Sequence, residues 1–257
     1  MSKPELSGKR GAATDLTDVY ARRFPDEEAA SRRRVWAEIG RHLQRYIPNS
    51  SRVLDIGSDA GYFVGSIAAR EKVATDLRDM AAVMPPDVHF VQGSSLELRS
   101  LLQPGYFDAV LMSNFLEHLR SGDEVMEQLR VAYDLLAPAG RVIILQPNIR
   151  LIGGAYWHFI DHKTALTERS LMEAAELAGF QHHKLITRFL PYTTKSHLPR
   201  AQMLVRMYLA FPPAWLLLGK QTLYVGEKPV TVTSETVNQR ERTALQEYFR
   251  NPRQREN

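Results

Sequence analysis

From Arg52 to Gln146 the sequence alternates short strand-forming runs with helical stretches, and few architectures accept that rhythm. The strand-like runs are Arg52–Ile56, Lys72–Thr75, His89–Gln92, Phe107–Met112 and Arg141–Gln146. Helical patterns fall between them at Tyr62–Arg70, Asp79–Val83, Leu96–Leu102 and Asp123–Leu136. Turn signals punctuate the series at Pro85-Pro86, Pro104-Gly105 and Pro138-Ala139-Gly140. Strands that alternate with helices pair in parallel, and the crossovers lay helices on both faces of the sheet. Right-handed crossovers put all the strand carboxyl ends on one edge. Ligands bind along that edge, where the strand order reverses.

The flanks extend one domain rather than adding a second. Val35, Ile39, Leu43 and Ile47 recur every four residues beside Trp36, which predicts an amphipathic helix ending before Pro48. Beyond Asn148, residues 149–166 read as a loop rich in aromatics and histidine. Glu168–Ala178 reads as a helix closed by Gly179, and Gln181–Leu190 and Gln221–Glu227 as two further strands. Residues 191–220 form a helical insertion or lid between those strands. The domain is expected to span 31–229. Residues 1–30 read as a flexible amino-terminal segment, with Tyr20, Phe24 and Pro25 hinting at a docked stretch. The polar, arginine-rich 230–257 reads as a disordered tail, with one short helical pattern at Leu245–Phe249.

Composition narrows the chemistry. With no cysteine among 257 residues, disulfides, thiolate zinc sites and thiol nucleophiles are excluded. The apolar share, 44%, suffices for an ordinary globular core. The amino terminus lacks a signal-peptide core, and no apolar run approaches the ~18–20 residues of a membrane span, so a soluble cytoplasmic protein is expected. The formal net charge of +4 is not gathered into an aromatic-laced patch, so nucleic acid is not assigned as a partner.

The strongest local signal is Val53-Leu54-Asp55-Ile56-Gly57-Ser58-Asp59-Ala60-Gly61-Tyr62-Phe63, a strand running through a glycine turn into a helix. Gly57 permits the tight turn, and Gly61 permits close approach of backbone to ligand. About twenty residues on, Asp76 ends the second strand, where an acid can accept hydrogen bonds from both hydroxyls of a ribose. NAD and S-adenosylmethionine (SAM) sites share this pair of features, so these residues alone leave a nicotinamide-dependent oxidoreductase open. A non-catalytic binding module on the same fold also stays open.

Further motifs separate these readings. Phe107-Asp108-Ala109-Val110-Leu111-Met112-Ser113-Asn114-Phe115-Leu116-Glu117-His118-Leu119 is followed by Leu135-Leu136-Ala137-Pro138-Ala139-Gly140-Arg141-Val142. With the glycine turn and Asp76, these resemble class I SAM-dependent methyltransferases over residues 51–148, in order and spacing. Arg45-Tyr46-Ile47-Pro48, Gln146-Pro147-Asn148, Tyr156-Trp157-His158-Phe159-Ile160-Asp161-His162 and Leu190-Pro191-Tyr192 resemble a bacterial branch commonly associated with surface-polysaccharide biosynthesis. The resemblance implies an α/β fold: a Rossmann-like, seven-stranded, mostly parallel sheet with helices on both faces and the last strand antiparallel. It implies SAM as cofactor, with Asp55 orienting the methionine ammonium and the backbone of Gly57 and Gly61 under the methionyl group. Asp76 would hold the ribose, Ser94 and Ser95 the adenine amino group, and Asn114 would open the loop flanking the cofactor. Two departures stand out: Asp59 where the family usually has glycine, and Ser94 where it usually has aspartate.

The implied reaction is methyl transfer to a hydroxyl of a small molecule or glycan, including a lipid-linked one. A hydroxyl acceptor needs a base in or near the transition state. His118 is one candidate because its ordinary pKa lies near neutrality; Asp161 and His162, in the loop after the fifth strand, are the others. His158, Asp161 and His162 supply too few clear ligands for a metal, and none is assigned. Residues 201–220 carry an apolar helical face with Met203, Leu204, Met207, Tyr208 and Phe211, suited to a lid or to peripheral membrane contact. The oligomeric state is not legible from these patterns.

Overall fold

The computed structural model describes residues 29–192 and 202–230. The expectations for the amino-terminal segment up to residue 28, for 193–201, and for the tail from 231, including Leu245–Phe249, lie outside the described residues.

Helix α1 (Ala29–Leu43) leads into strand β1 (Arg52–Ile56), one turn of helix α2 (Tyr62–Gly65), β2 (Glu71–Asp76) and β3 (His89–Gln92). Then come α3 (Leu98–Leu101), β4 (Phe107–Ser113), α4 (Gly122–Leu135) and β5 (Leu136–Pro147). After β5 follow α5 (Ile149–Ile152), α6 (Glu168–Leu177), β6 (Gln181–Leu190), α7 (Gln202–Ala210), α8 (Pro213–Leu218) and β7 (Gln221–Glu227). The seven strands form one sheet in the order β3-β2-β1-β4-β5-β7-β6. All neighbours are parallel except at β7, which is antiparallel to both β5 and β6. The fold is thus the Rossmann-like α/β sheet anticipated from sequence, with the last strand reversed and inserted one place from the edge.

Strand periodicity divides the core into two layers. Leu54, Ile56, Val110, Met112, Val142 and Ile144 are buried on one face with Leu129, Leu135 and Leu171 from α4 and α6. Val53, Leu111, Ile143 and Leu145 point the other way, against Ile39 and Leu43 of α1, Phe63 and Val64 of α2, and Leu209 of α7. The stronger helices carry their own start signals. Ser121 caps α4 by accepting from the Glu124 N–H at 3.2 Å, and Thr167 and Ser170 form a reciprocal capping box on α6.

Several helices are shorter than their patterns predict. The stretch Tyr62–Arg70 is helical only to Gly65. There the Ser66 hydroxyl donates to the Phe63 carbonyl at 2.6 Å, and the Arg70 N–H turns to Ser51 O at 2.9 Å, pulling the chain toward β2. Asp79–Val83 yields a single 3-10 turn at Ala81–Val83, and residues 95–101 divide into a 3-10 turn and α3. Conversely, residues 149–158 are more ordered than a loop: α5 runs into a 3-10 segment, Gly153–His158. The described part of the 191–220 stretch carries α7 and α8, and α7 is tied to α1 through Glu38. That buried carboxylate accepts from Arg206 Nε and Nη2 at 3.0 Å each and from Gln202 at 2.7 Å. The Arg206 hydrogen bonds lead in holding its pKa at about 2.

Candidate active site

The strand order reverses between β1 and β4, and a cavity of about 1060 Å³ opens at the carboxyl ends there. Its volume is at the upper end of the usual range for small-molecule sites, which leaves room for two ligands side by side. Asp55, Gly57, Asp76, Ser94, Ser95, Asn114, His118, Asp161 and His162 all line it, although they come from positions spread over more than one hundred residues. Gly61 does not line it. A Cβ at Gly61 would lie 2.7 Å from Met84 Sδ, so this glycine accommodates the Met84-Pro85 corner and a φ of +67° at the start of α2.

Gly57 has φ +69°, and a Cβ there would stand 2.3 Å from the Phe115 ring. The turn therefore requires glycine on two counts, backbone conformation and space. Asp55, at the end of β1, is 2% exposed, and its Oδ2 accepts from the Val64 N–H at 3.2 Å. Burial pushes its pKa up to about 8; the Val64 hydrogen bond opposes the rise and the nearby Asp76 charge adds to it.

Asp76 is heavily engaged. Its Oδ1 accepts from Arg78 N and Nε at 3.0 and 3.1 Å. Its Oδ2 accepts from Asp59 N at 3.1 Å and Arg78 Nη2 at 3.3 Å. Asp59 has φ +48°, the left-handed conformation that glycine adopts without cost and aspartate tolerates. Its carboxylate is turned to Arg78 Nη2 at 2.8 Å and Arg32 Nη1 at 3.8 Å. Arg78 was not singled out from sequence, although its place two residues after a strand-end acid is the signal that could have found it. An Asp59–Arg78–Asp76 network across the β1 and β2 ends has only emerged with the fold.

The opposite wall is made by a 3-10 turn, Leu116–His118, and by residues 159–164. Hydrogen bonds join them: Lys163 and Thr164 N–H to Glu117 O at 2.7 and 3.1 Å, and the Thr164 hydroxyl to Leu119 O at 2.6 Å. His118 Nδ1 lies 3.1 Å from the Asp161 carbonyl oxygen and 3.4 Å from its Oδ2. Both are acceptors, so Nδ1 donates toward Asp161. Asp161 and His162 are buried, and the His162 ring is packed by Tyr156 and Phe159 at centroid distances of 4.7 and 5.1 Å. Glu117, quoted in the motif but given no role, is 1% exposed at the same wall, and burial raises its pKa. His158 is exposed and outside the cavity.

A sequence profile described as a methyltransferase domain matches residues 29–185, more than half of the chain, and covers both walls of the cavity. The chain belongs to this methyltransferase family. Solved structures agree on the fold. A SAM-dependent methyltransferase from Thermotoga maritima superposes with a TM-score of 0.59 at 16% identity, covering 82% of this chain and 98% of that one. One from Archaeoglobus fulgidus gives 0.56 at 21% identity, covering 83% and 100%. A [4+2]-cyclase, SpnF, gives 0.54 at 17% identity, covering 79% and 82%. No curated protein matches the sequence. The cofactor of this methyltransferase is SAM. The lining fits it: an acid at the end of β1 suits a cationic amino group, an acid at the end of β2 suits hydroxyl donors, and the Gly57 turn keeps side chains off the floor between them. The nicotinamide reading of the same turn gives way to the family match.

Proposed function

We propose that this methyltransferase moves the methyl group of SAM to a hydroxyl of a small-molecule or glycan acceptor, lipid-linked where the acceptor is an envelope polysaccharide precursor. The observation that carries the reading is the pairing of His118 with Asp161 across the cavity from Asp55 and Asp76. The cofactor supplies a methyl group already activated on a sulfonium. The protein's own task is alignment, exclusion of water and handling of the acceptor's proton. Asp55 faces the methionine ammonium, Gly57 and the turn closed by Gly61 form the floor, and Ser94 with Ser95 faces the adenine. Asn114, at φ +48° with its N–H on Leu145 O at 2.8 Å, turns the chain around the cofactor's edge. Asp161 orients the His118 ring through Nδ1, and the acceptor's proton is removed at this cluster. His162, packed on Tyr156, shapes the same wall.

The acceptor's class is supported by the apolar rim. Leu204, Val205, Tyr208 and Leu218 of α7 and α8 line the cavity, while Met203, Met207 and Leu217 beside them are 68%, 57% and 83% exposed. An apolar strip continuous with a cavity suits an amphiphilic acceptor presented at a membrane surface. Among the described residues no helix is long and apolar enough to cross a membrane.

Asp76 uses all its favourable acceptor directions on Arg78 and Asp59, so ribose hydroxyls bind by replacing the Arg78 side chain there. Asp76→Ala is expected to weaken SAM binding by about 1.5–3 kcal/mol, roughly 10- to 150-fold, through loss of charge-assisted hydrogen bonds. Equilibrium dialysis with labelled cofactor measures this, and unchanged affinity would place the ribose elsewhere. The acceptor is tested by mass spectrometry of surface glycans from cells with and without the protein. A difference of one methyl group is expected; identical glycans remove the glycan reading.

A further inference from the structure

We propose that Glu117, His118 and His162 form a divalent-cation site at the acceptor end of the cavity, for a first-row ion such as Zn²⁺ or Mn²⁺ whose open positions take the acceptor's oxygens. The inference deepens the methyl-transfer reading and rests on it for the identity of those oxygens, but not for the site itself.

Each residue offers one ligand atom, and the three atoms lie within 4.8 Å of one another. In a tetrahedral site bonds of about 2.0–2.2 Å set donors roughly 3.3–3.6 Å apart, so side-chain shifts of about an ångström close the trio round an ion. Two imidazole nitrogens and one carboxylate are a transition-metal set; Ca²⁺ and Mg²⁺ favour all-oxygen cages.

A second observation points the same way independently. Glu117 Oε2 is buried with no hydrogen-bond partner among the described residues, and the residue lines the cavity. A carboxylate oxygen withdrawn from water without a donor is costly, and a cation at the cluster supplies what it lacks. The supporting shell is also present. Asp161 engages His118 Nδ1 and orients the ring, while Nε2 faces Glu117 Oε1 at 4.0 Å. The backbone bonds from Lys163 and Thr164 lock the two ligand-bearing segments together, and Tyr156 and Phe159 fix the His162 ring. All three ligands face the cavity, and three protein ligands with an open side are the pattern of a catalytic ion rather than a structural one. Under this arrangement the His118 ring would ligate the ion instead of taking the proton, and the ion would acidify a bound hydroxyl whose proton leaves to solvent.

The test uses the full chain, stripped with a chelator and dialysed against Mn²⁺ or Zn²⁺, with bound ion counted by elemental analysis and free Mn²⁺ by electron paramagnetic resonance. One ion per chain is expected. Glu117→Gln and His162→Ala should each lower affinity at least tenfold, Asp161→Ala about 10- to 100-fold as a supporting partner, and His158→Ala not at all. Circular dichroism verifies that each variant is folded, and the wild-type stoichiometry stands whatever the variants do. No bound ion in the wild-type protein overturns the proposal, as does an ion retained equally by folded Glu117→Gln and His162→Ala. SAM binding is titrated separately on stripped protein. A protein that binds the cofactor but takes up no added ion sinks this site alone, whereas one that takes up the ion but does not bind the cofactor sinks the cofactor placement alone.

Discussion

Asp55→Asn is expected to weaken SAM binding about 10- to 100-fold, yet to raise the melting temperature of the cofactor-free protein by an amount that grows with pH. The reason is the position of Asp55 at the buried end of β1, where burial lifts its pKa to about 8 from an ordinary 3.8. Between those two values the unfolded chain has released a proton that the folded chain keeps, so stability falls as pH rises, and the loss is complete above about pH 8. Asparagine can still accept the Val64 N–H but has no charge to bury. Melts of the two proteins should therefore nearly coincide at about pH 3–3.5, below the unfolded pKa, and diverge most at about pH 9. A cationic ammonium opposite Asp55 offsets the cost in the loaded protein, which is why the same substitution harms binding. Isothermal titration gives the affinity. An equal temperature shift at both pH values would sink the account of Asp55 as a carboxylate carried at a cost to stability for the sake of the ligand.

His118→Ala is expected to lower methyl transfer about 10²- to 10⁴-fold while leaving SAM affinity within about twofold. The ring belongs to the acceptor wall, and neither Asp55 nor Asp76 depends on it for a hydrogen bond. Asp161 engages His118 at Nδ1, and a role exerted through that ring predicts a double variant little worse than His118→Ala alone. Transfer of a labelled methyl group into cell-envelope extract, compared across the two single variants and the double, measures the coupling. Losses that multiply instead would mean that Asp161 works independently of the histidine.

These two residues illustrate what was readable beforehand. Asp55 and Asp76 were legible because a strand, a glycine turn and a second strand-end acid are local patterns, each fixed within about twenty-five residues. His118 and Asp161 were legible as candidates but not as a pair, since 43 residues separate them and only the stapling of residues 159–164 onto the Leu116–His118 turn joins them. Arg78 was marked only by its place two residues after a strand-end acid, and Glu117 only by its place in the motif, and neither position assigned a role. Their meaning lies in what they face: Asp76 and Asp59 for one, two imidazoles for the other.

The same division runs through the fold. The alternation of strand-like runs with helical stretches and the turn chemistry between them determined a parallel sheet with its ligand edge at the strand carboxyl ends, because strand and helix patterns and crossover handedness are properties of short segments. The length of α2 was decided by tertiary structure, where Ser66 and Ser51 compete for backbone groups that an isolated helix would keep. So was the gathering of Glu117, His118, Asp161 and His162 on one wall, because contact between distant residues is set by how packed layers bring two loops together and by nothing either loop contains.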